Sequence, residues 1–513
     1  MKKILCVILC VVLLCPMLSA FSTGAEKNEK CSCPNAPIIR VNGLGATIYN
    51  ADGSVVQAAD FETILTTIVN AIPLVPGLLT GKLTARETEN LVEIADGFFD
   101  DLGLDENGDP IGGQAVHMIY PTEVDHENGQ IICFDYDWRL DPFDSAEKLR
   151  DFVEYIKKLT GHDKVYLIGE SMGTIIMDTY LSVYGFDDIA GVIWYNGGYK
   201  GILTCSDSFS NQNTISAETM GAYLKQVGAT SGSTLLYDLM CALADSGFLA
   251  EAMSGILKGA YSLNDEGYLQ DFLVRNIGRF PGFWSFIKYE DFDAAIEYAF
   301  PTPELKATYA KLIERVTCYH TEVSAKVDEL MKTAEKKTGK VGVVCGYGSL
   351  LPPVTHEEYL QSDSVIGTRE ESNGATCAHV GETLGDGYRQ KISDGHNHIS
   401  PDNIIDASTC IFPDKTWFVK YHMHHFANDG YSAELIRKIF LSKGVFTVFS
   451  DKDYPQYMIL NKEKTELSPL TAETDEDRTP ENGFSYQMFN VIFKMNTFFL
   501  QLYKHIAGAF REE

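Results

Sequence analysis

The sequence predicts an α/β fold: a mostly parallel sheet flanked by helices, with a helical cap inserted into it. Three observations carry this expectation. Apolar, β-prone runs alternate with helical patterns through residues 37–200 and again through 340–441. Between one such run, Val165–Ile168, and a helix opening near Thr174 lies the turn Gly169-Glu-Ser-Met-Gly173. After Cys205 the period changes, and residues 215–335 read mainly as helix, broken at Gly278–Trp284.

A G-x-S-x-G turn between a strand and a helix is the nucleophile elbow of α/β-hydrolases. The sharp turn lifts the serine hydroxyl clear of the sheet, and the glycines leave room for the tight backbone. The helix that follows points its positive end at the site. Ser171 is therefore the expected nucleophile, against the plainer reading of an ordinary strand-to-helix turn. A serine hydroxyl needs an imidazole to take its proton and a carboxylate to orient that imidazole.

In this fold the chain order is serine, acid, histidine, with the histidine after the last strand. Asp394, in Ser393-Asp-Gly395, falls in the window for the acid, with Asp386 as its rival; either also reads as a turn aspartate. After the strand Thr416–Lys420 comes Tyr421-His-Met-His-His-Phe426. His425 is the expected base because Phe426 can pack behind it, with His424 second. The run Pro37–Gly45 is a short strand ending in a glycine turn, whose Leu44 N–H, with that of Met172, is the expected oxyanion hole. An ordinary β-turn is the alternative there. His396, His398, His422, His424 and His425 form two tracts with metal-ligand spacing, so a metal site is a rival reading. No carboxylate–histidine motif accompanies them, and the expectation is no metal and no cofactor.

The remaining chain divides around this core. Met1–Ala25 has the form of a secretory signal: Lys2 and Lys3, an apolar run Ile4–Leu14, and small residues at Ala20 or Ala25. The expected protein is thus secreted or extracytoplasmic. Residues 26–204 and 336–450 are assigned to the hydrolase core, 205–335 to the cap, and 451–513 to an acidic linker and a C-terminal amphipathic helix. Within the core, 55–105 is helical in pattern, Gln130–Asp135, Ala190–Tyr195 and Lys340–Cys345 are strands, and Ser145–Leu159 is a helix. Thr416–Lys420 reads as the last core strand, followed by a helix over 433–441. Met488, Ile492, Met495, Phe499, Leu502, Ile506 and Phe510 make an apolar stripe on the final helix. Docking of that stripe on the hydrolase domain is the expectation, and contact with a membrane surface the alternative. A hydrophobic content of 45% fits a well-filled core, and a net charge of −29 argues against nucleic acid as a partner. Nine cysteines remain after the leader, an odd number without a C-x-x-C pair, so neither a disulfide scaffold nor a zinc motif is read from them.

Four stretches carry a family likeness: Val41–Gly45, Tyr136-Asp-Trp-Arg-Leu-Asp-Pro142, Val165–Gly173, and Val344-Cys-Gly-Tyr-Gly348 with Pro352 and Pro353 beyond it. On these the chain resembles the lecithin–cholesterol acyltransferase family, which includes lysosomal phospholipase. The resemblance implies an α/β-hydrolase fold, a Ser–Asp–His triad acting on lipid esters, and a disulfide between Cys345 and Cys410. The chain departs from the family at Glu170, where histidine usually precedes the serine, and at Met172, where leucine is frequent. Asp394-Gly-His-Asn397 also replaces the usual Gly-Asp-x-Thr-Val. The expected function is a secreted serine esterase, a lipase or phospholipase with acyl transfer to an alcohol as a variant, acting on a lipid or other acyl ester. The competing class is a non-catalytic binding protein on a hydrolase scaffold, which the intact Ser171 weighs against.

Overall fold

The computed structural model describes residues 30–56, 102–253, 267–424, 429–475 and 480–509. The leader and most of the 55–105 helical pattern lie outside the described residues. Eight strands form the main sheet: β1 (Ile38–Val41), β2 (Ile131–Phe134), β3 (Val165–Glu170), β4 (Ile189–Tyr195), β5 (Val341–Tyr347), β6 (Thr416–Lys420), β7 (Tyr457–Leu460) and β8 (Leu467–Pro469). Their spatial order is β8-β7-β6-β5-β4-β3-β1-β2, and only the β7–β8 pair is antiparallel. This is an α/β-hydrolase fold.

The alternation of side chains along each strand divides the core in two. Val41, Leu167, Val192, Trp194 and Val343 face one layer, where helices α1 (Pro142–Thr160) and α2 (Gly173–Tyr184) pack. Ile38, Ile168, Ile193, Val344 and Val419 face the other, covered by the helix Ala433–Leu441. Helix α1 begins where Asp141 accepts a hydrogen bond from the Phe143 N–H, has Pro142 in its first turn, and ends at Gly161 in the left-handed region. Its Leu149, Phe152, Val153 and Ile156 recur at helical spacing and are fully buried. Truncating one of them costs about 2–5 kcal/mol.

Between β4 and β5 the described elements are all helical, among them α3 (Leu203–Ser210), α4 (Ala217–Thr230) and α5 (Thr234–Asp245). The Tyr136–Arg139 segment ties this insertion to the core. Arg139 is fully buried and binds Asp137 through Nε and a terminal nitrogen, at 3.0 and 2.7 Å. Trp138 meets Phe280 and Phe283 edge-on, at 6.0 and 5.8 Å between ring centres. Gly282 donates its N–H to the Arg139 carbonyl at 3.0 Å. A Cβ at Gly282 would lie 2.0 Å from the Trp138 carbonyl oxygen, so the approach requires glycine.

Three expectations need correction. The region beyond Asp451, read as an acidic linker, contributes β7 and β8 to the sheet. Four consecutive apolar residues, Tyr457–Leu460, are fully enclosed there despite their charged flanks. The final helix, Phe484–Ala509, docks on α5, with the described members of the expected stripe left exposed. The docked side carries Tyr486, whose hydroxyl donates to Asp245 at 3.0 Å, and Phe493, 5.7 Å from Phe248 between ring centres. Met488, Ile492 and Met495 are 50%, 46% and 56% exposed, and Val491 and Phe498 share their open face. The side chains of Phe499, Leu502, Ile506 and Phe510 lie outside the described residues. Finally, Cys345 and Cys410 are free thiols, so the implied bridge is not formed. No described helix is long and apolar enough to cross a membrane.

Candidate active site

The site grows from the C-terminal end of β3. Ser171 stands in the left-handed region with φ of 54°, a conformation a non-glycine residue holds only under constraint. The constraint is visible: its N–H donates to Tyr195 at 3.0 Å, and its carbonyl accepts from the N–H groups of Thr174 and Gly198 at 3.1 and 3.2 Å. The Thr174 hydroxyl donates to the same carbonyl at 2.6 Å. Glycines on either side allow the turn. A Cβ at Gly173 would lie 2.0 Å from the Val41 carbonyl oxygen, and one at Gly169 would lie 2.6 Å from Thr174 Cα. Gly43 closes over the nucleophile, where an added Cβ would sit 2.9 Å from Ser171 Cβ.

His424 Nε2 is 2.7 Å from Ser171 Oγ. Its other ring nitrogen, Nδ1, donates to Asp363 Oδ2 in a short hydrogen bond. This fixes the tautomer: Nδ1 carries the proton and Nε2 is free to accept from the serine. Asp363 is fully buried, and its remaining lone pairs are filled. Oδ1 accepts from the N–H groups of Val365 and Ile366 at 2.9 and 2.8 Å, and Oδ2 also accepts from Asn196 Nδ2 at 2.9 Å. Burial pushes the Asp363 carboxyl up, but the charge and hydrogen bond of His424 hold it well below the usual carboxylate range. Burial likewise pushes His424 down, while the Asp363 charge and hydrogen bond, with a contribution from Glu170, hold it above its ordinary value.

Behind this line lies a second histidine. His422 is buried and lowered to about 4 by desolvation, so it is neutral. It donates from Nε2 to Asn196 Oδ1 at 3.1 Å and accepts the Tyr431 hydroxyl at Nδ1 at 2.6 Å. Tyr431, His422 and Asn196 thus brace the carboxylate that braces His424. Glu371 completes the setting, accepting from the Gly346 N–H at 2.7 Å. Burial and the Asp363 charge push the Glu371 carboxyl well up.

The expected acid is not at this site. Asp394 is a half-exposed loop residue whose Oδ2 lies 2.9 Å from His398 Nε2 and whose Oδ1 accepts from the His396 N–H at 2.9 Å. The acid beside the histidine is Asp363, the first aspartate after β5. Asp386 is exposed. His425 lies outside the described residues, and His424 holds the place opposite Ser171. Among the described residues of the histidine tracts, His398 binds Asp394 and Gln456, while His422 and His424 are engaged as above. Chain position after β5 was the signal for Asp363. Nothing in the sequence marked Asn196 or Glu371, and His422 stood out only as a member of a histidine tract.

The cleft above Ser171 has a volume of about 400 Å³, and its lining includes the polar Arg40, Asn42 and Glu170 together with Leu44. Arg40 pairs with Glu170 at 3.5 Å, and Asn42 donates to Asp135 at 2.7 Å. Glu170, which departs from the family pattern, therefore has a cationic partner in the cleft. A second pocket of about 550 Å³ lies between α4 and α5 and the loop that carries Met423, the neighbour of His424.

No curated protein matches the chain. Among solved structures, one described as "The crystal structure of Tle4-Tli4 complex" matches at 12% identity, covering 91% of this chain and 99% of that chain, with a TM-score of 0.28. The family model for lecithin:cholesterol acyltransferase matches residues 122–215. Over that segment, which holds Tyr136–Pro142 and the Ser171 elbow, the chain is similar to the lecithin:cholesterol acyltransferase family of α/β-hydrolases, as its motifs led us to expect.

Proposed function

We propose that the protein is a serine esterase that hydrolyses or transfers acyl groups of lipid esters through an acyl-enzyme. The observation that carries the reading is the line Ser171–His424–Asp363, with His424 Nε2 at 2.7 Å from the hydroxyl. His424 takes the Ser171 proton as the oxygen attacks the acyl carbon. Asp363 stabilises the imidazolium that forms. The N–H of Met172, at the start of α2, and that of Leu44, in the same cleft, would receive the oxyanion of the tetrahedral intermediate. Collapse expels the alcohol, protonated by His424, and leaves Ser171 acylated. Water or a second alcohol, deprotonated by His424, then takes the acyl group.

The family match supports lipid esters as the substrate class. The open face of the final helix, with Met488, Val491, Ile492, Met495 and Phe498 at helical spacing, supports contact with a lipid surface. The helices of residues 205–335 would act as the cap over the substrate, and the signal-like leader supports export. The test is hydrolysis of short-chain esters in solution and of phospholipids in vesicles by the wild type and by Ser171→Ala. Loss of several orders of magnitude in kcat on both substrates is expected; residual turnover near wild type would refute the reading. Partition of the acyl group between water and an added alcohol reads out transfer.

A further inference from the structure

The opposite end of the sheet holds a second constellation. Cys31 and Cys33 precede β1, His126 precedes β2, and His162 follows α1 just before β3. Because β2, β1 and β3 are neighbours in that order, three separate turns converge at the N-terminal edge of the sheet. One ligand atom from each of these four residues lies within 4.8 Å of all the others.

The distances have the right scale. Cys31 Sγ is 3.5 Å from His126 Nε2, and Cys33 Sγ is 3.5 Å from His162 Nε2. A tetrahedral zinc ion with its usual bond lengths would place sulfur and nitrogen ligands about 3.5 Å apart. The ring of His126 is held from behind, since its Nδ1 donates to the Val124 carbonyl at 3.3 Å and leaves the Nε2 lone pair facing the sulfurs. The Cys33 N–H donates to Cys31 Sγ at 3.5 Å, a contact that favours a thiolate there. The segment is anchored on both sides. The Cys31 N–H donates to Gly161 at 3.0 Å, and Asn35 Nδ2 donates to the Glu127 carbonyl at 3.0 Å.

We propose that Cys31, Cys33, His126 and His162 form a structural zinc site that pins the N-terminal segment across the β2-β1-β3 edge. Two soft thiolates and two imidazoles are a donor set suited to zinc, and four protein ligands leave no open position for substrate. The role is structural because Ser171 lies beyond the other end of β3, and a six-residue strand spans about 20 Å. The site gives the β1 segment, which ends at the Gly43 turn over the nucleophile, a fixed anchor at its far end.

The test uses the full chain purified under reducing conditions and equilibrated with zinc sulfate, then desalted. One zinc per chain is expected. X-ray absorption of that wild-type protein should show two sulfur ligands at about 2.3 Å and two nitrogen ligands at about 2.0 Å. Cys33→Ser and His162→Ala should each weaken zinc binding at least tenfold, and chelation should lower the melting temperature of the wild type but not of Cys33→Ser. Turnover of a soluble ester, measured below the melting transition, should stay within about twofold after chelation. Absence of bound zinc with both thiols reduced would overturn the proposal. So would recovery of Cys31 and Cys33 as a mutual disulfide, or zinc content in both variants equal to that of the wild type. Loss of turnover without a change in melting temperature would overturn the structural role.

Discussion

Replacing Asp363 by asparagine separates the orienting carboxylate from everything else in the site. The substitution preserves shape and leaves one oxygen to accept from the Val365 and Ile366 N–H groups. The position of Oδ2, which now accepts from both Asn196 and His424, becomes an NH₂ group that can only donate. His424 then turns to the other tautomer, with its proton on Nε2 facing Ser171, and can no longer take the serine proton. Loss of the corresponding charge in a Ser-His-Asp protease lowers kcat about 10⁴-fold with the geometry intact. The same magnitude is expected here, about 5.5 kcal/mol of transition-state stabilisation at about 1.4 kcal/mol per decade. The assay is steady-state hydrolysis of a chromogenic short-chain ester, with circular dichroism to confirm folding. KM should change little, because the carboxylate touches no substrate. Asp394→Asn, in the half-exposed loop, should keep kcat within about twofold by the same reasoning. A tenfold or smaller loss in folded Asp363→Asn, or an equal loss in Asp394→Asn, would refute the assignment.

Other outcomes follow from the same geometry. The base must be neutral, and His424 is held above its ordinary value, so kcat/KM should fall on the acid side with an inflection above about 6.5. Glu170→Gln removes a negative charge that favours the imidazolium, so the inflection should move to lower pH; an unchanged profile would contradict this. Gly43→Ala, whose Cβ would sit 2.9 Å from that of Ser171, should lower kcat about a hundredfold by displacing the nucleophile. Asp178 is buried and, among the described residues, has only the Trp194 indole N–H as partner, and burial raises it to about 8. The folded state thus keeps a proton that the unfolded chain releases near pH 4, so stability falls as pH rises from about 4 to about 8. Asp178→Asn should flatten the decline of melting temperature across that window. Replacing Met488, Ile492 and Met495 together by aspartate should leave the melting temperature and soluble-ester turnover near wild type while lowering turnover on vesicles at least tenfold.

The elbow was legible in the sequence because its chemistry is local. A buried strand, three residues in fixed places and a helix all lie within Val165–Tyr180. The acid was not, because its identity depends on tertiary placement. Asp394 has the glycine-flanked look of a functional turn, whereas Asp363 sits in an unremarkable Ser-Asp-Ser sequence whose turn is folded by the carboxylate itself. The choice between His424 and His425 rested on which neighbour could pack. The structure turns instead on the Asp363 carbonyl, which accepts from the His424 N–H at 3.0 Å and fixes that residue's place. Strands β7 and β8 escaped notice because four apolar residues between charged flanks carry little period. The apolar stripe of the final helix was visible, but periodicity alone does not say which face meets α5. The cysteine–histidine cluster left no mark in the sequence either, since its ligands are spread over more than 130 residues.

The central claim is that Ser171, activated by His424, is the group that becomes acylated. A fluorophosphonate reports on it directly, because only an activated serine displaces fluoride, and peptide mass spectrometry then locates the adduct. The expected result is a single adduct on Ser171, absent in Ser171→Ala and formed at least a hundredfold more slowly in His424→Gln. An adduct on another serine, or labelling of Ser171 at an undiminished rate in His424→Gln, would contradict the account.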